Sequence, residues 1–178
     1  MVPGGASRVA KMLRSLDTHR KRILDIGCGI GGPAFEMART FEADVVGIGI
    51  DIEAPLIERA MDAAEHHGLT DRCTFRAVDV GPLPFDDQSF DIVVTAGAIT
   101  QIEDKEAIFN DCFRVLRPGG YLSCYNWTRT GGDYSEDMLY WFEMEGLTYA
   151  LETLDHYRQH FLDCGYVDIE IEDASEWY

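Results

Sequence analysis

A glycine-rich turn directly after an apolar stretch is the part of this sequence best suited to chemistry. The stretch covers residues 23–26 and contains Asp25, and the turn that follows contains Gly27, Cys28, Gly29 and Gly31. Because glycine lacks the Cβ atom that disfavours positive φ angles, such a turn lets the main chain approach a bound nucleotide closely. The Asp25 carboxylate would oppose a pyrophosphate, whereas it suits a cofactor with an ammonium or sulfonium charge. The turn therefore predicts a nucleoside cofactor that carries positive charge.

Four more segments extend this pattern along the chain. They are residues 45–52, 75–80, 83–93 and 115–120. Together with 23–32 they follow the order and spacing of the motifs of class I S-adenosylmethionine-dependent methyltransferases, and the chain resembles that family from residue 23 to residue 126. The resemblance implies a Rossmann-like α/β fold with a mostly parallel sheet and helices on both faces. It also implies S-adenosylmethionine as the cofactor and S-adenosylhomocysteine as the product.

The resemblance assigns cofactor contacts to residues at the ends of the predicted strands. The implied set is Asp25, Gly27, Cys28, Gly29, Gly31, Asp51, Ile52, Asp79, Val80 and Thr95. Asp51 would bind both ribose hydroxyls, since a carboxylate accepts two hydroxyl protons at once. Asp79 would meet the adenine, and Asp25 would face the aminocarboxypropyl part. The alternative role for these acids is to cap a helix or to lie in a solvated loop. For Asp51 there is a second alternative, because Gly49 is another candidate for the residue at the strand end where the family usually has its acid.

Apolar spacing predicts the elements that position these residues. Helices are expected over 6–17, 33–41, from Pro55 to a stop at Gly68, over 104–116 and 138–144, and from an N-cap at Thr153 to Cys164. Strands are expected over 23–26, 45–50, 73–78, 91–95, 121–126 and 167–171. Near-continuous apolar strands that alternate with helices indicate a parallel sheet covered on both faces. We expect residues 1–178 to form a single domain, as their number allows.

Composition and charge narrow the function. The net charge is −17; residues 1–30 hold six Lys and Arg against two acids, and residues 131–178 hold one Arg against thirteen acids. Such an acidic surface repels phosphate backbones, so a nucleic-acid substrate is disfavoured. The sequence has no apolar run of about 18 residues and no signal-peptide core, so we expect a cytoplasmic protein. Its five scattered cysteines lack a Cys-x-x-Cys pair and are expected to be reduced core residues rather than metal ligands.

The acceptor side departs from the families it resembles. The tail 149–178 resembles the corresponding part of phosphoethanolamine N-methyltransferases and is similar to glycine and sarcosine N-methyltransferases. Gln101 stands where the phosphoethanolamine enzymes have a catalytic histidine. The candidates for a catalytic group are Gln101, His156 and Tyr157, and the sequence assigns the catalytic role to none of them. Because the C-terminal third is acidic, we expect a small neutral or cationic amine as the acceptor rather than phosphoethanolamine.

An aromatic segment, residues 127–157, is the candidate substrate lid, because aromatic faces attract cations. An aromatic mini-core between helices is the alternative. Only 22 residues precede the first predicted strand, and we expect a minimal or truncated form. Two other functions stay open: a nicotinamide-dependent oxidoreductase, and a catalytically silent subunit that binds S-adenosylmethionine and regulates a partner.

Overall fold

The computed structural model describes residues 5–50, 54–79, 81–146 and 148–175, with the side chains of 5–7 and 46–50 left aside. Five parallel strands form one sheet in the order β3-β2-β1-β4-β5. The strands are β1 (Arg22–Ile26), β2 (Asp44–Ile50), β3 (Cys73–Val78), β4 (Phe90–Ala96) and β5 (Leu116–Tyr125). The helices are α1 (Gly5–Leu13), α2 (Gly32–Phe41), α3 (Ala54–His66), α4 (Lys105–Val115), α5 (Glu136–Glu145) and α6 (Leu154–Cys164), with a 3₁₀ helix over Ala98–Gln101.

The sheet buries apolar side chains on both of its faces, as the sequence predicted. Successive strand residues point to opposite faces, so Ile23 packs on one side with α1, α2 and α3, while Leu24 packs on the other with α4. In the same way Ile92 joins the first cluster and Val93 the second. The central strands β1 and β4 therefore bury apolar residues on both faces of the sheet, which explains the near-continuous apolar runs that marked them. The predicted Rossmann-like α/β fold is confirmed.

The N-terminal helix is shorter than the periodicity predicted. It ends at Leu13 rather than at residue 17, and the chain continues in a turn in which Leu16 N–H donates to the Leu13 carbonyl at 3.0 Å. Leu16 still packs against the α1 side of the core. Its apolar character therefore reflects burial from the turn rather than a further helical residue.

The predicted strand at 167–171 is wrong, because these residues belong to no strand among those that the structure describes. Asp168 has φ 53°, which interrupts an extended conformation, and Val167 is 80% exposed. Alternating polar and apolar residues indicate a strand only where a sheet edge receives the backbone. This segment follows the surface instead.

The start of β5 also differs from the prediction, which placed a strand at 121–126 after a turn. Leu116 pairs with Phe90 and Tyr121 pairs with Ile92, so residues 117–120 bulge out opposite Asp91. The Asp91 carboxylate accepts a hydrogen bond from the Arg22 backbone at 2.8 Å and an ion pair from Arg117 at 2.8 Å. Burial alone would raise the pKa of Asp91, but these donors hold it below its ordinary value. The bulge is thereby fixed to the amino end of the sheet, away from the glycine turn.

The helix ends follow the chemistry of their caps. The Asp104 side chain accepts from Ala107 N–H at the start of α4, and the Thr153 hydroxyl accepts from His156 N–H at the start of α6. Gly165, with φ 94°, ends α6 as the sequence predicted. The five cysteines are free thiols, and burial raises the pKa of Cys73 to about 11 and that of Cys124 to about 12. Cys28, Cys73 and Cys112 are buried core residues, as expected, whereas Cys124 and Cys164 are only partly buried.

Candidate functional site

The glycine turn lies between β1 and α2, beside the point where the strand order changes direction between β1 and β4. Ligands of open parallel sheets bind at this position, outside the carboxyl ends of the strands. Gly27, Gly29 and Gly31 all have positive φ angles, of 74°, 52° and 84°. The backbone of the turn therefore favours glycine at all three positions.

The space around each glycine divides their roles. A Cβ atom at Gly27 would come within 2.4 Å of the Ala98 Cβ, and one at Gly31 would meet Phe35 and Phe75 at 2.8 and 2.9 Å. At Gly29 no atom lies within 4 Å. Gly27 and Gly31 thus permit close packing within the protein, whereas Gly29 is the one of these three positive-φ glycines with open space where a ligand could approach the main chain.

Asp25 lies at the centre of the sheet, paired in register with Gly47 on one side and Val94 on the other. Its side chain is only 2% exposed. It shares a sheet face with Ile23, the face covered by α1 and α2, because alternate strand residues point the same way. A carboxylate at this depth, two residues before the turn, supplies negative charge beneath the place where the turn opens.

Thr95 lies near the end of β4, next to Ile26 of β1 in register. It is fully buried, and its Oγ1 has no hydrogen-bond partner among the described residues. Buried hydroxyl groups are almost always hydrogen-bonded, so an orphaned one at the ligand edge is a place for a ligand or an ordered water. Together with the open space at Gly29, it offers a place for a polar ligand at this edge.

The adenine side of the predicted site is described in part. Asp79 follows β3 and, with Arg76 and Gly81, lines a surface cavity of about 450 Å³. The loop beyond it is held by Arg114, whose guanidinium donates to the Leu83 carbonyl at 2.8 Å and to the Phe85 carbonyl at 2.7 Å. The other predicted cofactor contacts on this side, Asp51, Ile52 and Val80, lie outside the described residues.

The three catalytic candidates occupy different environments. Gln101 is exposed at the end of the 3₁₀ helix, just beyond the carboxyl end of β4, and His156 is exposed on the first turn of α6. Tyr157 is 5% exposed among Phe109 and Phe161, and burial raises the pKa of its hydroxyl well above the ordinary value. Of these, only Gln101 lies directly beyond the carboxyl end of a strand.

Sequence reasoning missed Lys105, and it did not foresee the contact that Tyr134 makes within the predicted aromatic segment. Lys105 is only 1% exposed, and Tyr134 exchanges hydrogen bonds with the backbone of Leu151. A signal for Lys105 existed, because with Phe109 and Cys112 it occupies the buried stripe of α4 at helical spacing. Tyr134 lies in the predicted aromatic segment 127–157, but no pattern indicated its contact with Leu151, 17 residues away.

Aromatic rings collect above the carboxyl end of β5. Tyr149 stacks on Trp141 at 5.1 Å and on Phe142 at 4.6 Å, and Trp127 contacts Trp141 edge-on at 6.4 Å. Trp127 and Trp141 remain 41% and 39% exposed, and no residue of α5 is buried. The rings thus form a cluster open to solvent rather than a closed core.

A parallel sheet with a glycine turn at its switch point defines a Rossmann-like, nucleotide-binding class of domain. Comparison with known families identifies the member of that class. The sequence model described as a methyltransferase domain matches residues 17–154, and the chain belongs to that family.

Individual relatives point the same way. The chain is 29% identical over 178 residues to phosphoethanolamine N-methyltransferase of Triticum aestivum, covering 98% of this chain and 34% of the relative. It is 34% identical over 158 residues to 27-O-demethylrifamycin SV methyltransferase of Amycolatopsis mediterranei, covering 88% and 57%. It thus spans about a third of the length of the phosphoethanolamine relatives that it matches.

A solved structure shows the same architecture. Haemonchus contortus phosphoethanolamine N-methyltransferase 2, in complex with S-adenosyl-L-methionine, superposes with a TM-score of 0.88 at 27% identity, over 98% of this chain and 40% of that one. Within the part of our chain that the structure describes, no helix is long and apolar enough to cross a membrane.

Proposed function

We propose that this chain binds S-adenosylmethionine and transfers its methyl group to the nitrogen of a small-molecule amine. The observation that carries the proposal is the open, positive-φ turn at Gly29 between buried Asp25 and the orphaned Thr95 hydroxyl. The relatives are named for methyl transfer, which favours turnover over a catalytically silent subunit. We also propose that residues 1–178 form a single domain and that the protein is cytoplasmic. The net charge of −17 supports the further proposal that its substrate is not a nucleic acid.

The chain's own residues would bind and orient the reactants. The sulfonium of S-adenosylmethionine supplies an activated methyl group, so catalysis can rest largely on alignment. Asp25 and the turn would hold the amino-acid end, Asp51 the ribose, and Asp79 the adenine. A nicotinamide cofactor fits less well, because the buried Asp25 carboxylate would repel its pyrophosphate.

Gln101 suits an acceptor that arrives as a neutral amine. Its side-chain amide can accept or donate a hydrogen bond, but it cannot take up a proton as a histidine could. Gln101 would therefore orient the amine, and the proton would leave to water. His156 and Tyr157 remain weaker candidates, since one is exposed on α6 and the other is buried with a raised hydroxyl pKa.

The surface around the acceptor favours positive charge. The aromatic cluster remains partly exposed at Trp141, and an exposed aromatic face attracts a cation by about 0.5 to 2 kcal/mol. Two arginines, Arg129 and Arg158, follow Pro118 in the chain. Arg129 donates to the Gly132 carbonyl at 2.9 Å and lies over the Tyr134 ring, while Arg158 is exposed on α6. We therefore propose residues 127–157 as a cap for a neutral or cationic amine.

The cofactor is tested by calorimetry. We expect S-adenosylhomocysteine to bind with a dissociation constant in the micromolar range, about −8 kcal/mol, and NAD to give no heat at the same concentrations. The reason is the carboxylate beneath the turn, which favours an ammonium over a pyrophosphate. Micromolar NAD binding without a response to S-adenosylhomocysteine would contradict the proposed function.

The acceptor is tested by a substrate panel. Release of S-adenosylhomocysteine should be faster with uncharged amines, glycine or sarcosine than with phosphoethanolamine. The variants Arg129→Ala and Arg158→Ala should change activity toward the preferred amine by less than about threefold, because neither guanidinium is expected to contact it. A clear preference for phosphoethanolamine that either variant abolishes would overturn the amine assignment.

A further inference from the structure

Lys105 is a buried cation that the proposed reaction does not use. It is 1% exposed and begins α4 directly after the cap residue Asp104. This is an unfavourable place for a lysine twice over: burial penalises its charge, and the amino end of a helix repels cations. Burial lowers the pKa of Lys105, while the carboxylate of Glu152 opposes that shift. Because both effects disfavour a charged lysine here, hydrogen bonds from its amino group are needed to offset them.

Those contacts join two separate segments. Lys105 Nζ donates to the Ile102 carbonyl at 2.8 Å, immediately after the 3₁₀ helix that ends in Gln101. It also donates to the Ala150 carbonyl at 2.5 Å, in the segment between α5 and α6. One amino group therefore bridges the loop that carries Gln101 and a segment 45 residues away.

We call residues 148–153 the strap. Besides the bond from Lys105, its backbone is held by two hydrogen bonds: Ala150 N–H donates to the Thr100 carbonyl at 2.8 Å, and the Glu152 carbonyl accepts from Arg129 N–H at 3.0 Å. Leu151 N–H donates to the Tyr134 hydroxyl at 3.2 Å. Two of these hydrogen bonds, with Thr100 and Lys105, connect the strap to the region of Gln101. The other two connect it to Arg129 and Tyr134, in the segment that follows β5.

The strap also sets the position of the aromatic cluster. Tyr149 immediately precedes Ala150 and stacks on both Trp141 and Phe142. Since α5 has no buried residue of its own, the stacked ring of Tyr149 is a principal contact that orients it. A shift of Ala150 would therefore move the ring cluster relative to Gln101.

We propose that Lys105 is a positioning residue for the acceptor: it fixes the spacing between Gln101 and the aromatic cluster by tying the strap to the end of the 3₁₀ helix. The inference rests on the proposed function for its kinetic part only. The cofactor half of the site, built on β1 and its turn, makes none of these contacts, so its ligand affinity should not depend on Lys105.

The test is Lys105→Met, which keeps the length and apolar stem of the side chain but removes its N–H donors. We expect the KM for the preferred amine to rise about tenfold or more, kcat to change less than about threefold, and the affinity for S-adenosylhomocysteine to stay within about twofold. Amide hydrogen exchange at Ala150 and Leu151 should accelerate at least tenfold while exchange in β1 and β4 is unchanged.

Two further variants complete the experiment. Tyr134→Phe removes a strap contact without touching Lys105 and should raise the same KM and the exchange at Leu151, so the strap's role is tested even if Lys105→Met does not fold. Lys21→Met is the control, because Lys21 directly precedes β1 at the opposite, amino end of the sheet. It should change neither the KM for the amine nor the amide exchange of the strap. Unchanged strap exchange in Lys105→Met, or equal acceleration throughout the fold, would overturn the inference. If no amine is methylated but Lys105→Met accelerates exchange in the strap alone, the proposed function fails, while the inference that Lys105 holds the strap in place is supported.

Discussion

Gly27→Ala should lower the free energy of unfolding by about 2 to 5 kcal/mol and remove measurable S-adenosylhomocysteine binding. Two costs combine: a left-handed φ of 74° costs a side-chain-bearing residue about 1 to 2 kcal/mol, and forced overpacking costs about 1 to 3 kcal/mol. The overpacking arises because the new Cβ would come within 2.4 Å of the Ala98 Cβ. Urea unfolding and calorimetry measure the two effects.

Neighbouring glycines and Ala98 provide matched controls for this prediction. Gly32→Ala has open space and no positive φ, so it should be close to neutral, whereas Gly29→Ala should cost only the φ strain but still weaken binding. The double variant Gly27→Ala/Ala98→Gly removes the close contact and should recover part of the lost stability. A Gly27→Ala protein as stable as the Gly32→Ala control would contradict the packing that the structure shows.

Asp25→Asn should weaken S-adenosylhomocysteine binding about 10- to 100-fold. Asparagine keeps the shape of the side chain but removes its charge, and hydrogen bonds to charged groups are worth about 1.5 to 3 kcal/mol. The effect should be large because Asp25 is only 2% exposed, so little water screens its carboxylate. Calorimetry on the folded variant, with its unfolding curve recorded alongside, provides the measurement.

Asp44→Asn is the control for this substitution, because Asp44 is exposed at the opposite end of the neighbouring strand β2. It should leave the affinity for S-adenosylhomocysteine unchanged within about twofold. Equal affinities for the Asp25→Asn variant and the unsubstituted protein would remove Asp25 from the cofactor site. The remaining carboxylate candidates would then be Asp51 and Asp79.

The features that the sequence determined are those encoded by neighbouring residues. Short apolar runs, each ended by a polar or glycine stop, predicted the central parallel strands, and the cap residues Thr153 and Gly165 predicted both ends of α6. The glycine turn after β1 and its place at the ligand edge also followed from local pattern. In each case the signal lies within a few residues of the structure that it specifies.

The tertiary structure decided what depends on contacts between distant residues. The separate roles of Gly27 and Gly29 follow from Ala98, about 70 residues further along the chain, and no spacing near the turn reveals it. The burial of Lys105 likewise depends on Ala150, and the strand expected at 167–171 is missing because this backbone pairs with none of the five strands. Local patterns fix which elements form, because backbone hydrogen bonds and side-chain periodicity act over short distances. The close approach of segments remote in sequence fixes which residues become buried, strained or free to meet a ligand.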